Sequence, residues 1–172
     1  QYDQTGAKVK DRKGNDLIYL DDVKLVETDA NLLERTGIRV VKYVPQYNAS
    51  GSGVDNADND YVIWRWADVL LMKAEAMMRQ SAPDNAGALA IVNQIRSQRG
   101  ASTLGAITLP ILLDERQREF YWDGWRRQDL IRFGVFLQPW ALKPTDNPRN
   151  LWYPIPNTAL AVNPNLTQNP GY

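Results

Sequence analysis

From Ile63 onward the apolar residues fall into a helical rhythm that residues 1–60 lack. Counting from Ile63, the positions Trp66, Ala67, Leu70, Leu71, Ala74, Met77 and Met78 fill every place of a one-face helical template. Arg65, Asp68, Lys73, Glu75 and Arg79 fall mostly off that face, so the pattern predicts an amphipathic helix ending near Gln80. A second helix should follow "SAPDN", capped by Asp84 or Asn85, carry Ala88, Ile91, Val92 and Ile95 on one face, and stop at Gly100. Two such helices joined by a short turn make an antiparallel hairpin of tetratricopeptide-like length. A third helix is expected after Thr108, with Pro110 in its first turn, running to Asp123-Gly124. A fourth covers about 125–133 and closes a second hairpin.

On either side the pattern changes. "LIYL" (17–20), "DVKLVE" (22–27) and "GIRVVKYVP" (37–45) are β-branched and aromatic runs between turn formers and predict a small, irregular β element. "QYNASGSGVDNADND" (46–60) reads as a polar surface loop. Beyond residue 138 the repeated prolines predict extended, turn-rich coil that wraps the helices, with Trp140, Leu151, Trp152, Tyr153, Ile155 and Leu166 inserted as anchors. The expected fold is therefore mainly α. It has helix hairpins over 61–134, strands and loops over 1–60 and a Pro-rich tail over 135–172, all in a single domain.

Composition narrows the chemistry. Twenty basic and twenty acidic side chains cancel, which offers nothing to a phosphate backbone, so nucleic acid is not an expected partner. The absence of both cysteine and histidine removes thiolate nucleophiles, Cys/His metal sites, disulfides and histidine-based triads. Neither a cofactor nor a metal is expected. The start at Gln1 rather than Met reads as a fragment or a processed product.

The stretch "DERQREFYWDGWRRQDLIR" (114–132) alternates acids with arginines: Asp114, Glu115, Glu119, Asp123 and Asp129 against Arg116, Arg118, Arg126, Arg127 and Arg132. Three readings apply. One is a network of Arg–carboxylate pairs locking the second hairpin, which suits arginine's planar fork. Another makes Glu115 and Glu119, or Asp123, the acid and base of a glycosidase. Interleaved arginines depress carboxyl pKa values, so neither would stay protonated as the acid. The last is an anion site, against which the matching acids count. The network reading is the expected one, with no catalytic residue.

The blocks "YVIWRWADVLLMKAEAMMR", "ALAIVNQIRSQRGA", "LLDERQREFYWDGWRRQDLIRFG" and "YPIPNTALAVNPNLTQNPGY", in this order and spacing, resemble the C-terminal region of the SusD/RagB family over roughly residues 36–172. The family's usual Arg-x-Arg-Ala-Gly after the second helix reads Arg96-Ser-Gln-Arg99-Gly-Ala here, a departure at the turn near residue 100. The resemblance implies a cell-surface, outer-membrane lipoprotein of Bacteroidetes built on tetratricopeptide-like helix pairs. It would hold oligosaccharide or polysaccharide, or in some members peptide, for delivery to a SusC-like TonB-dependent transporter, without catalysis. The lipid anchor and further helix pairs would lie upstream of Gln1, this chain being about the last third. An alternative is a helical-repeat module that binds a peptide or partner protein. Sugar rings stack on exposed aromatics flanked by polar groups, so Tyr47, Trp140 and Trp152 are the candidate ligand-binding residues.

Overall fold

Local side-chain chemistry sets the path of the N-terminal segment. Asp3 Oδ1 accepts hydrogen bonds from the N–H groups of Thr5 and Ala7 at 2.8 and 2.9 Å, and Asp11 Oδ1 does the same for Lys13 and Asn15, both at 2.9 Å. Each aspartate turns the chain before a ladder can extend. In the computed structural model, which describes residues 1–3, 5–24, 26–37, 39–40, 42–43 and 59–172, pairing here is limited to isolated bridges, Tyr2 with Lys8, Lys10 with Asp16 and Leu20 with Thr36. No strand forms among the described residues, so the small, irregular β element expected here amounts to these bridges; residues 25, 38, 41, 44 and 45 of the β-branched runs lie outside the described residues. A short helix α1 (Ala30–Arg35) appears instead, its first turn capped by Asp29, whose Oδ1 accepts from the Asn31 N–H at 2.8 Å.

The chain divides into two compact units, Gln1–Asn59 and Asp60–Tyr172. The second carries the helices: α2 (Trp66–Met78), α3 (Asn85–Gln98), α4 (Leu109–Glu119), α5 (Arg126–Arg132), a 3-10 turn (Pro148–Leu151) and α6 (Asn157–Val162). α2 packs on both α3 and α4, and α4 on α5. The two tetratricopeptide-like hairpins thus stand, and the fold is mainly α.

Their boundaries follow capping chemistry. Asp84 caps α3 by accepting from the Gly87 N–H at 2.8 Å. Gly87 leaves room here for the ends of two side chains, since a Cβ would sit 2.3 Å from both Asp84 Oδ2 and Met77 Cε of α2. α3 ends in a Schellman turn: Gly100, at φ +69°, donates to the Ser97 carbonyl and Ala101 donates to that of Arg96. The departure in the family pattern at residue 100 therefore keeps its glycine in the left-handed position. Thr108 caps α4, and Pro110 sits in its first turn.

Two helix ends differ from expectation. α2 begins at Trp66 rather than Ile63, because Arg65 is held extended (φ −124°, ψ 155°) by acids at the far end of α4. Ile63 and Trp66 consequently lie exposed, and Trp64 rests on Trp125 with ring centroids 5.0 Å apart. α4 stops at Glu119 rather than Asp123. A turn follows in which Trp122 takes φ +71° and Gly124 φ +80°.

The core lies between the hairpins. Leu71, Ala74 and Met78 of α2 meet Ala88, Val92 and Ile95 of α3, with Leu112 of α4, Ile107 and Phe120 closing the cluster. Each large aliphatic side chain buried here stabilises the fold by about 1.5–3 kcal/mol. α2 keeps a second apolar face, Trp66, Val69 and Met72, in solvent.

The C-terminal tail corrects the anchor expectation. Trp140, Trp152, Tyr153 and Leu166 are exposed, and Leu151 and Ile155 are half-buried. Nor is the tail all coil, since it contains the 3-10 turn and α6. Polar groups close it. Gln168 clasps Ile155 from both sides, its Oε1 accepting from the Ile155 N–H at 2.8 Å while its Nε2 donates to the Ile155 carbonyl at 2.9 Å. Asn169 Nδ2 donates to the Tyr153 carbonyl at 2.7 Å, and the Tyr172 hydroxyl to that of Trp152 at 3.1 Å. Prolines cannot supply ladder N–H groups, so the closing Gln-Asn-Pro-Gly-Tyr provides side-chain substitutes. Gln168→Ala is expected to loosen this loop by about 1–3 kcal/mol. Limited proteolysis should then nick residues 150–172 severalfold faster, and an unchanged cleavage rate would remove the clasp from the account.

Candidate functional site

The acidic and basic residues of the second hairpin form a network of ion pairs with each other and with the first hairpin. At its centre Arg116 of α4 is fully buried. Its Nε donates to Asp129 Oδ2 at 2.9 Å, and its Nη2 lies 2.9 Å from Asp68 Oδ1, an ionic contact without hydrogen-bond alignment. Both aspartates are as buried as the arginine. Arg132 forks onto Glu75, Nη2 to Oε2 at 2.9 Å and Nε to Oε1 at 3.1 Å, and also reaches Asp129 Oδ1 at 2.9 Å. Arg79 adds a contact of 2.9 Å to Glu75.

At the other end of α4, Arg65 bridges Glu119 Oε1 at 2.6 Å and Asp123 Oδ2 at 2.7 Å, and donates to the Glu119 carbonyl at 2.6 Å. Arg99, at the C-cap of α3, holds the same Glu119 at 2.8 Å. Glu115 is taken by Arg96 at 2.6 Å and by Arg118. Burial pushes the Glu119 carboxyl up, but the hydrogen bonds from Arg99 and Arg65 outweigh it and hold the group below its usual range. A carboxyl held ionised cannot serve as the general acid a glycosidase needs. Among the described residues, no group of acids is placed to hold a metal ion.

The network joins helices more than it joins neighbours along 114–132. Asp68 and Glu75 were placed on the polar side of α2, yet both are buried. They share the stripe Asp68, Leu71, Glu75, Met78, an i, i+3, i+7, i+10 series that was readable in the sequence. Arg65, Arg96 and Arg99, the long-range partners, carried no local signal.

The candidate ligand residues fare differently from one another. Tyr47 lies outside the described residues. Trp140 and Trp152 are 58% and 60% exposed. Trp140 sits in a tight turn, its N–H donating to the Lys143 carbonyl at 3.0 Å. Trp152 follows the 3-10 turn, and next to it Arg127 stacks 4.3 Å over the Tyr153 ring while donating to the Asn150 carbonyl at 2.7 Å. The structure buries neither tryptophan.

Residues 6–145 match the family model described as the SusD family. This chain belongs to the SusD family. The match takes in the N-terminal segment that the quoted blocks left out and ends before the closing tail. Among SusD-family relatives, the chain is 34% identical over 160 residues to the starch-binding protein SusD of Bacteroides thetaiotaomicron, a match covering 86% of this chain and 28% of that one. It is 31% identical over 149 residues to the SusD-like protein P38 of Formosa agariphila, covering 78% and 28%. In structure it is similar to the surface glycan-binding protein A from Bacteroides uniformis, with a TM-score of 0.57 and 26% identity over 66% of this chain and 28% of that chain. The chain thus spans 28% of the length of each of these relatives.

Proposed function

We propose that this chain is part of a non-catalytic, surface-exposed outer-membrane protein that binds oligosaccharide and delivers it to a SusC-like TonB-dependent transporter. Family membership supports the reading, together with one relative named for starch binding and a structural neighbour named for surface glycan binding. The observation that carries it to residues is the exposure of Trp140 and Trp152 on a tail closed by polar contacts. An indole in solvent offers the flat apolar face on which the C–H side of a pyranose stacks, and the tail's amide groups suit its hydroxyls. Glu115, Glu119, Asp123 and Asp129 serve as fasteners and supply no acid–base pair.

Trp152→Ala is expected to weaken retention on a starch-type polysaccharide affinity gel about tenfold, the loss of one stacking face. Retention unchanged in both Trp140→Ala and Trp152→Ala would overturn the assignment to these rings. Release of reducing sugar from the polysaccharide would overturn the non-catalytic reading. The alternative, a helical-repeat module for a peptide or partner protein, has the exposed Trp66, Val69 and Met72 face of α2 in its favour. Docking on a transporter would use such a face without conflict with glycan binding.

A further inference from the structure

The matching numbers of acids and arginines in 114–132 conceal an uneven distribution. Asp129 is saturated, one oxygen on Arg116 and the other on Arg132. Arg126 and Arg127 bond to the main chain instead: Arg126 Nη1 donates to the Leu113 carbonyl at 3.1 Å, and Arg127 Nη2 to the Asn150 carbonyl at 2.7 Å, with the Arg127 guanidinium also stacked 4.3 Å over the Tyr153 ring and 5.1 Å over that of Phe136. Among the described residues, neither has a carboxylate within ion-pairing distance. Both line a cleft of about 310 Å³ at the corner between α4 and α5, together with Arg116, Gln117, Phe120, Trp122 and one carboxylate, that of Asp129, which Arg116 and Arg132 neutralise. Its size falls at the small end of the range for small-ligand sites, about 300–1,000 Å³.

Two further features of this corner are unexplained by the fold. Arg116 Nη1 is buried without a hydrogen-bond partner, a costly arrangement in a side chain otherwise fully engaged. Trp122 holds φ +71° and is 69% exposed. The left-handed region favours glycine or asparagine, and burial favours tryptophan, so neither backbone nor core selects an indole at this place. A strained, solvent-facing ring beside under-neutralised guanidinium groups has the composition of a recognition site.

We propose that the α4–α5 corner is a second saccharide subsite, selective for a uronic-acid-bearing sugar. Trp122 supplies the stacking face, Gln117 an amide for hydroxyls, and Arg126 with Arg127 the positive field and guanidinium N–H groups for the carboxylate. The assignment rests on the glycan-binding reading for its ligand class, but on residues separate from Trp140 and Trp152.

Calorimetric titration of the chain with an oligogalacturonate and with a neutral malto-oligosaccharide of equal length tests it. The acidic sugar is expected to bind at least tenfold more tightly, with affinity that falls as salt rises. Trp122→Gly removes the ring at a φ that suits glycine, so the fold should be retained. That variant and Arg126→Gln should each weaken oligogalacturonate binding about tenfold and leave the malto-oligosaccharide on its own site unaffected. Neutral binding without acidic selectivity overturns this subsite and leaves the general reading intact, whereas binding of neither sugar overturns both. Unchanged acidic binding in both variants overturns the location. Equal displacement by a polyglutamate peptide overturns the sugar assignment in favour of an acidic peptide.

Discussion

Arg116→Ala is expected to destabilise the helical unit by about 3–5 kcal/mol, the largest single-residue effect in the charged network. The guanidinium is the shared partner of Asp68 from α2 and Asp129 from α5, and all three side chains are almost entirely removed from water. Truncation would leave two buried carboxylates facing a cavity, with Arg132 the remaining cation on Asp129. The Phe120 ring, stacked 4.9 Å from the Arg116 guanidinium, would also lose its cover. Urea unfolding should show a lowered midpoint at an unchanged slope. The triple replacement Arg116→Met, Asp68→Leu, Asp129→Leu separates the cost of stranded charge from the worth of the pairs. It should recover most of the loss, since a well-packed apolar substitute often matches a buried ionic cluster. A loss below about 1 kcal/mol for Arg116→Ala would mean that water reaches the centre of the network and that it does not lock the hairpins.

Why the interior was only half legible follows from the length scale of each signal. α2 and α3 were readable because the apolar stripe of each repeats at helical spacing and is bounded by an Asp84 cap and a Gly100 stop. The end of α4 was not, because Phe120, Tyr121 and Trp122 continue the apolar rhythm through a turn that Gly124 and the left-handed Trp122 actually make. Asp68 and Glu75 lay on the buried stripe, yet acids on a stripe read as solvent-facing until their arginines are found elsewhere in the chain. The N-terminal runs had strand composition, which says nothing of a pairing partner, and the described residues there form only isolated bridges.

The candidate site shows the same division. Trp140 and Trp152 were singled out as sugar-stacking rings and also counted among the tail's anchors. Their exposure removes the anchor role and leaves the stacking role available. The Gln168 clasp that replaces those anchors is a side-chain-to-backbone pairing across 13 residues, which no periodic pattern announces. Trp122 was not singled out in the sequence, and its backbone conformation, the feature that sets it apart, has no trace in composition.

Arg65→Ala carries the second large effect, expected at about 2–4 kcal/mol, and it should change how the protein responds to acid. Arg65 sits at the N-cap of α2 and grips the far end of α4 through Glu119 and the following turn through Asp123, so its loss removes one of the ties between the hairpins. Burial alone would raise the Glu119 carboxyl, and the hydrogen bonds of Arg99 and Arg65 bring it below its ordinary value instead. A carboxyl depressed in the folded state contributes its stability in full above the ordinary glutamate range, roughly pH 4–5, and loses it as pH falls through the depressed folded value. Without Arg65 the burial is opposed less, the remaining Arg99 being the more exposed of the two, so the folded carboxyl titrates higher and the acid-unfolding midpoint moves up in pH. Arg65→Lys keeps the charge but lacks the fork that spans two carboxylates, which places it between the wild type and alanine in both stability and acid midpoint. Parallel stability–pH curves for wild type and Arg65→Ala, offset by a constant amount, would show that Arg65 contributes packing against Phe120 rather than control of Glu119.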